Sequence, residues 1–170
     1  MLADKVGVSD ELLASAGRNA SFSDLVTIRG DLRIELFDED GFLKEVREVH
    51  NLVVTAGKNY IAAELSSAGV TDMGWMEVGT GAVAPAAGDT ALGAAIASTG
   101  RQALTTRTSA TNVVTYVGDW AAGQATNAAI TEAGIFNAAS AGTMLSRATF
   151  TAINKGASDT LKITWTVTIG

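Results

Sequence analysis

ITEAGIFNAASAGTMLSRATF, residues 130–150, is the stretch on which the fold of this chain turns. Two short apolar runs, ITEAGIF and MLSRATF, flank a small polar segment, NAASAGT, that contains a glycine. That pattern predicts a β-hairpin with its turn centred near Ser140. Each arm carries one charge. Glu132 and Arg147 sit at mirrored places, so the hairpin would set them almost opposite each other. An Arg–carboxylate pair there would fix register in a chain whose small side chains specify register poorly. The pair is expected to be structural.

Working outward, LKITWTVTI (161–169) alternates most cleanly, with Leu161, Ile163, Trp165, Val167 and Ile169 on one face and Lys162, Thr164, Thr166 and Thr168 on the other. LRIELFD places Leu32, Ile34 and Leu36 on one face and Arg33, Glu35 and Phe37 on the other. DEDG (38–41) then turns, and FLKEVREVHNLVV returns as a second strand. Its alternation slips between Val46 and Val49, which reads as a bulge. Thr55 is the expected cap of a helix over AGKNYIAAELSSAG, with Tyr60, Ile61 and Leu65 on one face and Gly69 as the stop. GWMEVGTG gives a short strand. GAVAPAAGDTALGAAIAS (81–98) reads as a long flexible loop with room for one helical turn near Leu92. QALTTRT and NVVTYVGDW add further strands. Short strands separated by turn signals imply a mainly β fold, an antiparallel, jelly-roll-like β-sandwich over residues 25–170 with one short helix.

Residues 1–24 differ. They carry Ser, Gly, Ala and scattered charges, with material for one helical turn at Asp10–Ala14. They read as an extended N-terminal arm that orders on a partner, a frayed terminus being the alternative. The opening MLADKVGVSDELLASAG has no sustained apolar core, so no secretory signal is expected, and no run is long enough for a membrane helix. A soluble chain is expected, with no membrane partner.

Composition narrows function further. Apolar residues make up 47% of the 170-residue chain but aromatics only 6%, with 18 glycines and one proline. Small residues in such numbers suit close-spaced strands better than a large apolar ligand pocket. The net charge of −6 argues against binding nucleic acid through its phosphates. Residues 1–50 hold 11 of the 18 acidic and 6 of the 12 basic side chains, leaving the rest sparsely charged. Such a surface is what neighbouring subunits cover. The absence of cysteine excludes disulfides and thiolate chemistry.

The motifs that suggest chemistry each have a plainer reading. VGTGAVA (78–84) matches part of a dinucleotide fingerprint, but Pro85 and AAGD follow where a helix is required, so it reads as a turn. DEDG resembles the start of a calcium loop, yet Val49 stands where the closing Glu would be. His50, the one histidine, has no nucleophile motif beside it and reads as structural. The carboxylates Glu77, Asp89, Asp119, Glu132 and Asp159 cannot be paired by spacing into a glycosidase site. Trp75, Tyr116, Trp120 and Trp165 are scattered, with Trp165 expected in the core. No catalytic residue, cofactor or metal is expected.

In their order, NLVVTAGKNYIA, MEVGTGAVAPAAGDTALG and ITEAGIFNAASAGTMLSRATFTAINKGASDTLKITWTVTIG resemble a group of small tailed-bacteriophage virion structural proteins. The shared pattern is Asn-Leu-(Val/Ile)-x-x-x-Gly, Val-Gly-x-Gly before a Pro-and-Asp loop with Thr-Ala-Leu, (Ile/Leu)-x-Glu-x-Gly-(Ile/Leu)-Phe, Leu-x-Arg-x-x-Phe and a final Leu-x-(Ile/Val)-x-Trp strand. It spans about Ile28 to Gly170. The resemblance implies a non-enzymatic component of the virion, assembled in the host cytoplasm. A capsid decoration (cement) protein that bridges major capsid protein subunits is the favoured form. Symmetric copies, expected as a homotrimer, would bury the small apolar surfaces, and Leu2, Val6, Leu12, Leu13 and Phe22 are the expected arm contacts with the shell. A tail, baseplate or fibre-adaptor protein is the alternative, and a carbohydrate-binding or hydrolytic virion protein a remote one.

Overall fold

The computed structural model describes residues 26–170, and the expected arm lies outside them, with Leu2, Val6, Leu12, Leu13 and Phe22. The elements are β1 (Ile28–Phe37), β2 (Leu43–His50), β3 (Leu52–Val53), α1 (Thr55–Leu65), β4 (Trp75–Gly79), β5 (Gln102–Ala103), β6 (Thr106–Ala110), β7 (Val113–Trp120), β8 (Asn127–Phe136), β9 (Met144–Lys155) and β10 (Thr160–Ile169). They form two antiparallel five-stranded sheets, ordered β2-β1-β10-β7-β6 and β3-β9-β8-β4-β5. The mainly β antiparallel sandwich with one short helix is therefore the architecture found.

Alternation decides which faces meet. Leu32, Ile34 and Leu36 of β1 and Leu161, Ile163, Trp165 and Val167 of β10 face inward from the first sheet. Met76, Val78, Ile130, Ala133, Ile135, Ala148 and Ile153 answer from the second. Burying each Ile or Leu side chain contributes about 1.5–3 kcal/mol relative to exposure. Ile169, at the end of the run, is 38% exposed and is not part of this core.

The chain passes between the sheets at Asn51. β2 pairs with β1 in the first sheet, and β3 pairs with β9 in the second. At the corner the Asn51 N–H donates to Gly30 O at 3.1 Å, and its side chain fills the space a Cβ on residue 30 would need. Glycine at 30 thus lets the Asn51 side chain lie directly against the β1 backbone. The expected bulge between Val46 and Val49 is not there: β1 and β2 pair regularly from Asp31–His50 to Leu36–Glu45, and the irregularity falls next to the hairpin turn, between Leu36 and Phe37.

Four further expectations are corrected. Thr55 is the first helical residue rather than the cap; Val54 occupies the cap position with no side-chain bond, and the Thr55 N–H donates instead to Ala87 O at 2.8 Å. The helix ends at Leu65, which is 84% exposed, and the chain turns away at Ser67 before Gly69. QALTTRT divides: Gln102–Ala103 pairs with β4 while Thr106–Ala110 pairs with β7 in the other sheet. Residues 81–98 hold no helical turn near Leu92.

Candidate functional site

The hairpin of β8 and β9 contains a bulge that decides where its charges go. Phe136 pairs with Met144 but Ile135 pairs with Ser146, so Leu145 is an extra residue. A plain hairpin centred at Ser140 would have turned Glu132 and Arg147 to opposite faces, because side chains alternate. The bulge shifts β9 by one, setting Glu132 opposite Thr149 and Arg147 opposite Gly134. Both side chains now lie on the outer face of the sheet, diagonal to each other.

There they form the centre of a buried polar cluster. Arg147 Nη2 stands 2.7 Å and its Nε 2.9 Å from Glu132 Oε2. Glu132 is fully buried and Arg147 only 3% exposed. Three backbone N–H groups also donate to the carboxylate: Gly81 (2.9 Å) and Ala94 (2.7 Å) to Oε1, and Gly93 (2.9 Å) to Oε2. Arg147 Nη1 donates to Asp89 Oδ2 at 2.8 Å and Nη2 to Val83 O at 3.1 Å. The Ala86 N–H donates to Asp89 as well, at 2.9 Å.

This cluster is a clamp on the 81–98 segment, which is a held strap and not the flexible loop expected from its composition. Thr80 N–H donates to Ala94 O, Ile96 N–H to Val78 O, and Gly79 bridges Ala95. Leu92 packs with Val54, Phe136 and Met144 in a small apolar cluster beneath the strap. Arg101, 3.5 Å above the Phe136 ring, donates to the carbonyls of Ala138 and Ala141 and to Glu77.

The glycines follow from the clamp. A Cβ on Gly79 would come within 2.5 Å of Glu132 Oε1, and one on Gly81 would overlap the same carboxylate. Gly81 of VGTG does bind an anion through its amide, but the anion is the protein's own Glu132 side chain, and Gly79 leaves room for it. The Gly81 amide is therefore not free for a phosphate.

Electrostatics agree with the geometry. Burial pushes the Glu132 carboxyl up, but the Ala94, Gly93 and Gly81 amides and Arg147 outweigh it and hold it below the usual range. Burial works against the Arg147 cation, yet Asp89 and Glu132 raise its pKa. The Ala86 amide, then Arg147, lowers Asp89. Glu132 stays ionised and fully engaged, with no role left for it as an acid, base or nucleophile.

The other candidates are dispersed. His50 Nδ1 pairs with Asp31 on the exposed face of the first sheet, where an open groove of about 590 Å³ is lined by Arg29, Arg33, Glu48, His50 and Thr164. Asp38 closes the DEDG turn, its Oδ1 accepting the N–H groups of Asp40 and Phe42. Lys44 holds Asp159 at 2.9 Å, Thr105 bonds Asp119, and Arg101 holds Glu77. Trp120 and Trp165 are fully buried, Tyr116 nearly so, and Trp75 packs partly buried beside the strap cluster, so these rings do not make an exposed platform. Among the described residues no group of three or more His, Cys, Asp or Glu side chains is placed to hold a metal. No described helix is long and apolar enough to cross a membrane.

Sequence reasoning placed Glu132 and Arg147 together but missed Asp89, Val83 and the three amides. The available signal was glycine at 79, 81 and 93 in a stretch with no period of its own. No family model, curated protein or solved structure matches the chain.

Proposed function

We propose that this chain is a non-enzymatic structural protein of a tailed-phage virion, and specifically a capsid decoration protein that ties major capsid protein subunits together. One observation carries the reading. The motifs behind the resemblance converge on a single clamp: Gly79 and Gly81, Asp89 and Leu92, Glu132 and Phe136, and Arg147 all meet at the strap. A signature whose charged members are buried and spent on one another is a signature of shape, and it supports a scaffolding role over a catalytic one. The sparsely charged residues 51–170 add a surface suited to neighbouring subunits. Decoration would act through many weak contacts repeated over the shell.

The test is copy number per purified particle of the phage that encodes the chain, by quantitative mass spectrometry against the major capsid protein. A ratio comparable to the shell protein is expected. A ratio lower by about an order of magnitude places the chain in the tail or baseplate, and absence from the particle overturns the virion reading altogether. Deleting residues 1–24 is expected to weaken binding to shells that lack the protein; unchanged binding removes the arm from the mechanism.

A further inference from the structure

Two sheets have four lateral edges, and three of them are blunted. β3 and β5 are two residues long. β2 carries Lys44, Glu45, Arg47 and Glu48, is irregular beside the β1 turn, and latches to β9 through Arg47 Nε and Thr151 at 2.7 Å. Charge, irregular pairing and shortness are the usual guards against edge-to-edge pairing. β6 is the least guarded: its pairing is regular, it is longer than β3 and β5, and it carries one charge where β2 carries four. Its five residues, TRTSA, pair with β7 in unbroken register, and all five are exposed. The strand has no proline, and its one charge, Arg107, is held 2.8 Å from Asp72.

We propose that β6 pairs antiparallel with β6 of a second copy of this chain, about a two-fold axis at Thr108, to make one continuous sheet. The axis follows from parity. For the outer faces of two sheets to continue into one another, residues opposite each other must belong to the same face. A two-fold axis must therefore pass through a residue. Centring on Arg107 would set two guanidinium groups opposite each other, and centring on Ser109 would leave Thr106 without a strand partner. Centring on Thr108 pairs all five residues: Thr106 with Ala110, Arg107 with Ser109, and Thr108 with itself.

Charge favours this register. Each Arg107 meets a small serine, keeps its own Asp72, and no like charges stand opposite. The pairing also roofs the open groove of about 450 Å³ beneath β6, between Tyr60, Glu64, Asp72 and Tyr116. That adds contact area that a five-residue strand lacks by itself. The proposed association is two-fold where a three-fold one is expected from the sequence, and it stands independently of the virion reading.

Sedimentation velocity on the full chain over a dilution series tests it, with Thr108→Lys and Thr108→Glu as the variants. Both sit on an exposed strand, and far-UV circular dichroism checks their fold. Wild type is expected to sediment as a dimer. Each variant places like charges across the axis and is expected to weaken dimerisation about tenfold or more. An equimolar mixture of the two, with lysine facing glutamate, is expected to restore the dimer. A monomeric or trimeric wild type, or variants that dimerise as wild type does, overturns the proposal.

Discussion

Glu132 and Arg147 stand 2.7 Å apart on one face of a sheet only because Leu145 is an extra residue in β9. Without that bulge the two would point to opposite sides of the hairpin. The relationship makes the ion pair a consequence of the backbone, and the strap a consequence of the ion pair.

Breaking the pair from either side leaves a buried charge or buried amides without a partner. Glu132→Leu and Arg147→Met are each expected to cost about 3–5 kcal/mol. Replacing both together is expected to remain destabilising, unlike many buried pairs, because the N–H groups of Gly81, Gly93 and Ala94 would still lose their acceptor. Urea unfolding of the two single variants and the double variant measures this. A double variant as stable as wild type would show that the amides find water instead.

Two glycines in the same strap separate crowding from flexibility. A methyl group at Gly81 would overlap the Glu132 carboxylate, whereas Gly88 has nothing within 4 Å. Gly81→Ala is expected to destabilise by about 1–3 kcal/mol. Gly88→Ala is expected to be neutral or to stabilise by about 0.4–1 kcal/mol through the unfolded chain. Thermal melts of the two variants side by side decide the point.

Acid should release the strap. The Glu132 and Asp89 carboxyls lie below their ordinary values in the folded chain. A lowered carboxyl stabilises the fold above its unfolded pKa of about 4, and that contribution fades as pH falls through the folded value. Stability is expected to hold from pH 7 to about 5 and to decline below about pH 4. Glu132→Gln, though less stable at neutral pH, is expected to show a shallower acid slope. Unfolding free energies measured between pH 7 and 3 give both slopes, and parallel curves would exclude Glu132 as a contributor.

Lys155 is the one buried cation without a direct carboxylate partner among the described residues. It is 2% exposed, and its Nζ donates to Ala121 O at 3.0 Å. Burial lowers its pKa, with Asp159 acting weakly against that. Lys155→Met keeps the aliphatic stem and removes the charge, so it is expected to leave stability unchanged or raise it by about 1–2 kcal/mol. Denaturant midpoints test it; a loss above about 2 kcal/mol would mean the ammonium makes a contact that outweighs its desolvation.

What the sequence alone determined is the set of faces. Alternation is local and has a period of two, so Leu32, Ile34 and Leu36, and Leu161 through Val167, could be assigned to the core from their spacing. The β8–β9 hairpin was legible from its two apolar runs and the turn between them. The mirrored charges marked Glu132 and Arg147 as partners, but alternation alone would have put the two on opposite faces. The tertiary structure alone decided the rest. The amides that hold Glu132 lie 38 to 51 residues away from it, and the glycines at 81 and 93 that mark two of them do not say which side chain they face. The bulge at Leu145, the passage between sheets at Asn51 and the split of QALTTRT depend on which strand lies alongside. Periodicity tells a strand which side to bury; only its neighbours tell it where to bend.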